Sequence, residues 1–181
     1  MADTKMLVSE IRKTIREVPD FPKPGINFYD ITTLLADPTG FRLALDLMED
    51  FVRSCRPDKL LAVESRGFFF AAGLADRLRL GMVPARKPGK LPYKTIALEY
   101  ELEYGSSTLE LHADAVREGE RVVIVDDLIA TGGTLWAASQ MVENLGGVVA
   151  GISAVIDLTF LPWRDKLGQY TVNCLIAFDS E

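Results

Sequence analysis

Histidine is almost missing from this chain: His112 is the single one in 181 residues. One imidazole cannot supply the ligand sets of the usual zinc-hydrolase sites. Set in the strand-like "TLELHA", it reads as a surface residue rather than the base of a Ser-His-Asp triad. Cysteine is nearly as scarce. Cys55 and Cys174 stand far apart with no CxxC pair, which points to reduced thiols rather than a disulfide or a metal site. Positive charge is in deficit, with 20 Lys and Arg against 26 Asp and Glu, a net charge of −6. That balance excludes a protein built to coat nucleic acid. No apolar run approaches the length of a bilayer span; the longest lies near "VVAGISAVI". The opening "MADTKMLVSE" carries charge where an export signal needs an apolar core, so the expected location is cytoplasmic, with no membrane partner. Neither GxxxxGK[ST] nor GxGxxG occurs, so the P-loop and the dinucleotide fingerprint are both absent.

What is present alternates. Residues 5–18 place Leu7, Ile11 and Ile15 at four-residue spacing, the mark of one apolar helix face. "PDFPKPGINFYDITTLL" follows, a loop with three prolines and a glycine in its first seven residues, running into a short extended piece. Asp37-Pro38 reads as an N-cap and N1 proline, opening a helix with Phe41, Leu45, Met48 and Val52 on one side that stops before Pro57. "KLLAVES" is a buried-strand pattern, and "RGFFFAAGLADRLRLG" is helical to Gly81. From Lys94 to Tyr104, Ile96, Leu98, Tyr100, Leu102 and Tyr104 face one way, while Glu99, Glu101 and Glu103 face the other. "GSSTLELHADAV" then returns as the second arm of a hairpin. "RVVIV", "VVAGISAVID" and "YTVNCLIAF" supply buried strands, with the helical "TLWAASQMVENLGG" between the first two. Strands alternating with helices imply an α/β fold, a mostly parallel twisted sheet flanked by helices. No repeat, low-complexity stretch or linker interrupts it, so residues 1–181 are expected to form a single domain.

The chemistry concentrates in "VVIVDDLIATGGTL", residues 122–135. A β-branched strand ends in Asp126 and Asp127, and a small-residue loop, Ala130, Thr131, Gly132, Gly133 and Thr134, leads into a helix. Ligands of open α/β sheets sit beyond the carboxyl ends of the strands. Backbone N–H groups and the helix dipole make such a loop a seat for a phosphate monoester. The two carboxylates suit hydroxyls one sugar away. A capped turn bearing two solvated acids is the plainer alternative, but it leaves the combination of a DD pair with TGGT at one junction unexplained.

"VVIVDDLIATGGT" resembles the phosphoribosyl-pyrophosphate (PRPP) signature of the type I phosphoribosyltransferases. "PDFPKPGINFYDITTLL", "ESRGFFFAAGLADRL", "RKPGKLP" and "LEYELEYG" extend the resemblance, in order, to the adenine-specific members of that family over nearly the whole chain. The resemblance implies transfer of a 5-phosphoribosyl group from PRPP to N9 of adenine, giving AMP and pyrophosphate with Mg²⁺. It further implies a small N-terminal hood over residues 1–35, a flexible lid over residues 86–105 and a homodimer. Residue by residue it assigns Ala130 to Thr134 to the 5′-phosphate and Asp126 and Asp127 to the ribose. Ser65, Arg66, Arg86, Lys87 and Lys90 attend pyrophosphate, in part from the neighbouring subunit, and Glu103 handles the proton on the purine. Ile26, Asn27, Phe28 and Tyr29 line the adenine pocket. Tyr29 stands where many members carry arginine, and a tyrosine could stack on the base there. No protein ligand is assigned to Mg²⁺, which the substrate's phosphates would mainly hold.

By pattern alone Glu103 is one of three acids on a solvated strand face, and Arg86, Lys87 and Lys90 could be a solvated basic loop. Phe68, Phe69 and Phe70 read as core or dimer packing, Trp136 as helix packing, and Trp163 in "FLPWRDKL" acquires no role. Two other functions fit the signature: a 6-oxopurine phosphoribosyltransferase, and a PRPP-sensing regulator of nucleic acid. The first needs partners for a 6-oxo group; the second needs a basic face that the net acidity opposes.

Overall fold

The computed structural model describes residues 2–101 and 105–179. Helix α1 (Ala2–Thr14) leads to a short strand β1 (Arg16–Val18), which pairs antiparallel with β2 (Phe28–Asp30). The expected helix over residues 5–18 therefore ends early: Ile11 is fully buried on it, whereas Ile15 is buried just beyond it as the chain turns into β1. Two helices follow, α2 (Thr32–Ala36) and α3 (Pro38–Cys55). The expected cap is in place, the Asp37 carboxylate accepting from the backbone N–H groups of Thr39 (2.9 Å) and Gly40 (3.0 Å) ahead of an N1 proline. Strand β3 (Lys59–Val63), helix α4 (Gly67–Leu78) and strand β4 (Gly81–Ala85) form the first crossover unit. Here α4 stops at Leu78, because Arg79 takes a left-handed cap, and Gly81 opens β4 instead of closing the helix.

The hairpin is β5 (Thr95–Glu101) with β6 (Ser106–His112), and in its described part it keeps the expected alternation: Tyr100 is buried while Glu99 and Glu101 are exposed. After it come β7 (Arg121–Val125), the two-residue β8 (Leu128–Ile129), α5 (Gly133–Asn144) and β9 (Val148–Leu158). A single turn, α6 (Arg164–Leu167), and the last strand, β10 (Val172–Phe178), complete the order.

The central sheet runs β10-β9-β7-β3-β4, with β8 also paired to β9, and every pairing in it is parallel. A parallel sheet must be covered on both faces, and two apolar clusters do so. One joins α1, α3 and α4 to the sheet through Ile11, Met48, Val52 and Phe70; the other joins α5 and the hairpin through Leu109, Leu111, Leu135 and Met141. The two faces leave the carboxyl ends of β3, β7 and β8 open side by side, and the loops that carry the chemistry leave from there. Among the described residues no helix is long and apolar enough to cross a membrane. Cys55 and Cys174 are free thiols, and burial pushes the Cys174 thiol up to about 12, so it is unreactive at neutral pH.

Candidate active site

Strand β3 ends at Val63 and hands the chain to Glu64, Ser65 and Arg66; β7 ends at Val125 and hands it to Asp126 and Asp127. These two turns and residues 130–134 enclose one cavity of about 320 Å³, which Lys87 and Tyr100 also face. Both α4 and α5 begin at its wall, so two sets of unpaired N–H groups and two positive dipole ends meet there.

The backbone of the acid pair is fixed to the neighbouring strand. Asp126 N–H donates to the Ser153 carbonyl (3.1 Å), and the Asp127 carbonyl accepts from Val155 (3.1 Å) and Ile156 (2.9 Å). Both carboxyls are buried, at 8% and 3% exposure. Burial, and then the Asp127 charge, push Asp126 well above the ordinary carboxylate range. Burial raises Asp127 as well, but Arg66 opposes the rise. Arg66 Nε lies 2.9 Å from Asp127 Oδ2 without its N–H aligned on that oxygen, so the contact is an ion pair rather than a good hydrogen bond. That carboxylate oxygen is therefore held near a cation yet keeps capacity for a hydroxyl.

Close packing brings the turn and the acids together. A Cβ on Gly67 would come 2.6 Å from the Val125 carbonyl oxygen and 3.1 Å from Asp126 Oδ1, so only glycine lets α4 start against the acid turn. The Glu64–Ser65 peptide is cis. On the other side, Gly132 caps α5 in the left-handed region (φ +76°), where L side chains are disfavoured. Its loop is neutral: the donors are backbone N–H groups and the hydroxyls of Thr131 and Thr134.

Comparison with known proteins decides the family. A phosphoribosyl transferase domain model matches residues 30–159. The adenine phosphoribosyltransferase of Solibacter usitatus is 53% identical over 170 residues, covering 94% of this chain and 98% of the relative. The chain belongs to the adenine phosphoribosyltransferase family. Its fold agrees: the crystal structure of the Thermoanaerobacter pseudethanolicus enzyme superposes with a TM-score of 0.91 at 52% identity, over 94% of this chain and 99% of that one. The Saccharomyces cerevisiae enzyme, crystallised with an imino-altritol bisphosphate and adenine, gives 0.88 at 36% identity, over 95% and 99%.

Placing the expected site residues within this fold supports some roles and corrects others. Ser65, Arg66, Asp126, Asp127 and residues 130–134 all face the cavity, and Lys87 joins them. Phe28 does not line that cavity but approaches its Arg66 from the N-terminal segment, its ring 5.3 Å from the Arg66 guanidinium carbon and edge-on to Phe21 at 5.2 Å. Tyr29 faces the other way: strand β2 alternates its side chains, so Tyr29 turns into the core and lies 3.9 Å from the Phe178 ring centroid. A stacking role on a base is thereby overturned for its side chain. Ile26 is exposed and, with Asn27, lies away from that cavity beside Glu17 and Asp20, Asn27 pointing its amide nitrogen to Glu17 (3.2 Å).

Arg86 is not on the wall of that cavity. Its guanidinium grips Glu64 at two points, Nε to Oε2 (3.2 Å) and Nη2 to Oε1 (3.0 Å), and gives Nη1 to the Lys90 carbonyl (3.1 Å). Lys87 N–H adds a third bond to Glu64 (2.8 Å), and Arg86 above all holds that carboxyl below its ordinary range. Arg86 thus ties the start of the segment after β4 to the Arg66 turn, and Lys90 is exposed outside the cavity wall. Glu103 lies outside the described residues. His112, expected on the surface, is half-buried in β6 beside the Tyr93 ring.

Three contacts went unread in the sequence. Tyr100 meets the 130–134 loop, Thr134 Oγ1 donating to its hydroxyl at 3.2 Å; the inward alternation of β5 is the available signal. Glu64 organises the start of the segment after β4, and the Gly67 approach was signalled only by the glycine of "ESRG". Among the described residues no group of three or more His, Cys, Asp or Glu converges as a metal cage.

Proposed function

We propose that the chain transfers the 5-phosphoribosyl group of PRPP to N9 of adenine, forming AMP and releasing pyrophosphate. The observation that carries this reading is the shared cavity: a neutral anion loop, two buried acids and an arginine-bearing turn border it, with an aromatic ring against that arginine. The separation suits PRPP, which has a monoester at C5 and a diphosphate at C1. The yeast relative was crystallised with a bisphosphate and adenine, the two kinds of ligand this reading requires.

In this reading residues 130–134 hold the 5′-phosphate, which stays uncleaved throughout. Asp126 and Asp127 accept from the ribose hydroxyls, and their negative charge favours the cationic character that C1 acquires as its bond to the diphosphate breaks. Ser65, Arg66 and Lys87 stabilise the departing anion, with Arg86 holding their turn. Adenine N9 forms the new bond to C1 as the diphosphate takes the old bond's electron pair, and the base loses one proton, a task we assign to Glu103. Phe28 packs on the purine within the hood, beside backbone groups of Ile26 and Asn27. Mg²⁺ would be held mainly by the phosphate oxygens of the substrate, since among the described residues no group of three or more His, Cys, Asp or Glu converges on one point. When bound, Mg²⁺ supplies positive charge to the leaving group.

The free thiols support a reducing, cytoplasmic setting. A homodimer is supported by Phe69 on α4, 51% exposed, and Met82 on the edge strand β4, 38% exposed. Incubation with PRPP and Mg²⁺ and, separately, adenine, hypoxanthine, guanine, xanthine or orotate tests the proposal. AMP from adenine alone supports it. Turnover of another base refutes the adenine assignment, and PRPP binding without any turnover would favour a regulator.

A further inference from the structure

The 5′-phosphate loop is reached from behind by a segment with no evident role in its sequence. Asp157 lies near the end of β9, and its backbone pairs with Ile129 in β8, the last residue before the loop. Its side chain is buried, at 6% exposure, and accepts from the indole Nε1 of Trp163 (2.6 Å) and from Arg164 Nη2 (3.2 Å). Trp163 is also 6% exposed, and the Arg164 guanidinium stacks 4.1 Å over its ring. The backbone of Trp163 in turn abuts the loop's left-handed glycine: a Cβ on Gly132 would fall 3.1 Å from Trp163 Cβ and 3.3 Å from its carbonyl oxygen.

Asp157 therefore meets the loop twice, at its start through the β8 ladder and at its centre through Trp163. We propose that Asp157 and Trp163 form a clamp that positions the 5′-phosphate loop, and that they are positioning residues for phosphoribosyl binding. The inference rests on the reading of residues 130–134 as the 5′-phosphate seat. The physical reason is directional. The loop binds through backbone N–H groups, whose aim depends on the angles at Gly132, and no side-chain charge compensates a misdirected donor. A buried, charge-assisted indole–carboxylate bond is strong enough to hold those angles against the ligand-free alternatives. Neither residue lines the cavity that the acid pair faces, so the clamp acts on binding and leaves the chemical step alone.

Trp163→Phe keeps an aromatic ring and Cβ but removes the indole N–H; Asp157→Ala removes the acceptor, and Asp157→Asn keeps one acceptor oxygen. The readouts are the KM for PRPP, the KM for adenine, kcat, the Kd for ribose 5-phosphate and the melting temperature. For Trp163→Phe we expect the PRPP KM and the ribose 5-phosphate Kd to rise about tenfold, roughly 1.4 kcal/mol. The adenine KM and the kcat at saturating PRPP stay within about twofold. Asp157→Asn recovers most of the loss seen in Asp157→Ala, and the Trp163→Phe, Asp157→Ala double variant is no worse than the worse single one. Unchanged ribose 5-phosphate binding in folded Trp163→Phe overturns the clamp. So does an equal fall in every kinetic parameter, which would mark a merely structural role. A wild type that binds ribose 5-phosphate but makes no AMP refutes the proposed activity and leaves the clamp to be judged by the Kd series. A wild type that binds neither refutes both.

Discussion

Two helix starts face the same cavity, and they are built differently. At α5 the loop is neutral, its conformation set by a left-handed glycine and by the chain packed behind it. At α4 the turn is crowded with charge: Arg66 against Asp127, and Arg86 against Glu64. Under the proposed function, the contrast follows from what each anion does. A monoester that keeps its charge through the reaction needs binding that is the same before and after, and fixed N–H dipoles supply it. A leaving diphosphate gains charge as its bond breaks, and mobile cations held by acids are suited to meet that change.

The largest effect should come from the charged end. Arg66→Gln is expected to lower kcat about 10²- to 10³-fold, the loss typical of a transition-state charge partner. Ribose 5-phosphate binding, titrated calorimetrically, should stay near wild type; a parallel loss would erase the division between the two helix starts. Gly132→Ala probes the neutral end. A non-glycine residue at φ +76° costs about 1–3 kcal/mol, so the PRPP KM should rise by roughly one to two decades while kcat at saturation falls much less. A kcat defect as large as that of Arg66→Gln would count against the loop's passive role.

Phe28→Leu sharpens the comparison from the side of the base. Loss of an aromatic contact worth about 0.5–1.5 kcal/mol should raise the adenine KM roughly three- to tenfold with the PRPP KM unchanged; the reverse pattern would move Phe28 out of the adenine compartment. The smallest effect is on stability. Asp126 has a folded-state pKa raised above its ordinary 3.8 by burial and by Asp127. Its stabilising contribution is therefore full below 3.8 and is lost as pH rises through the folded value. Asp126→Asn, which cannot ionise, should melt a few degrees above wild type at neutral pH, about 2–4 °C per kcal/mol gained, with the difference closing toward pH 3. Glu64 titrates the other way. Its lowered folded pKa gives stability above 4.5 that is lost as pH falls, so Glu64→Gln should lower the melting temperature at neutral pH.

Much of the fold was legible because it is local. The Asp37-Pro38 cap, the alternation of β5, and the β-branched runs of β7 and β9 are short-range consequences of backbone sterics and burial. Ends were less legible: α1 and α4 both stop sooner than their apolar spacing suggests. At Thr14 a strand partner twelve or more residues away captures the chain, and at Arg79 a left-handed cap intervenes. The site divides along the same line. Asp126, Asp127 and residues 130–134 are contiguous, so strand, acids and anion loop could be read as one unit.

The roles of Tyr29, Arg86 and Trp163 depended on partners remote in sequence. Adjacent residues of β2 face opposite ways, and only the position of Phe178 shows that Tyr29 takes the core side and Phe28 the side toward Arg66. Arg86 is basic and sits in a Pro/Gly loop, but whether it is free for an anion depends on Glu64, at the end of another strand. Sequence by itself determined the α/β order, the neutral anion loop and the acid pair, because those rest on interactions within a turn or a strand. Tertiary structure alone decided which charges are already paired and what braces the loop. Ion pairs and close packing are set by distances in space, and the parallel crossovers bring together residues as far apart as Gly132 and Trp163.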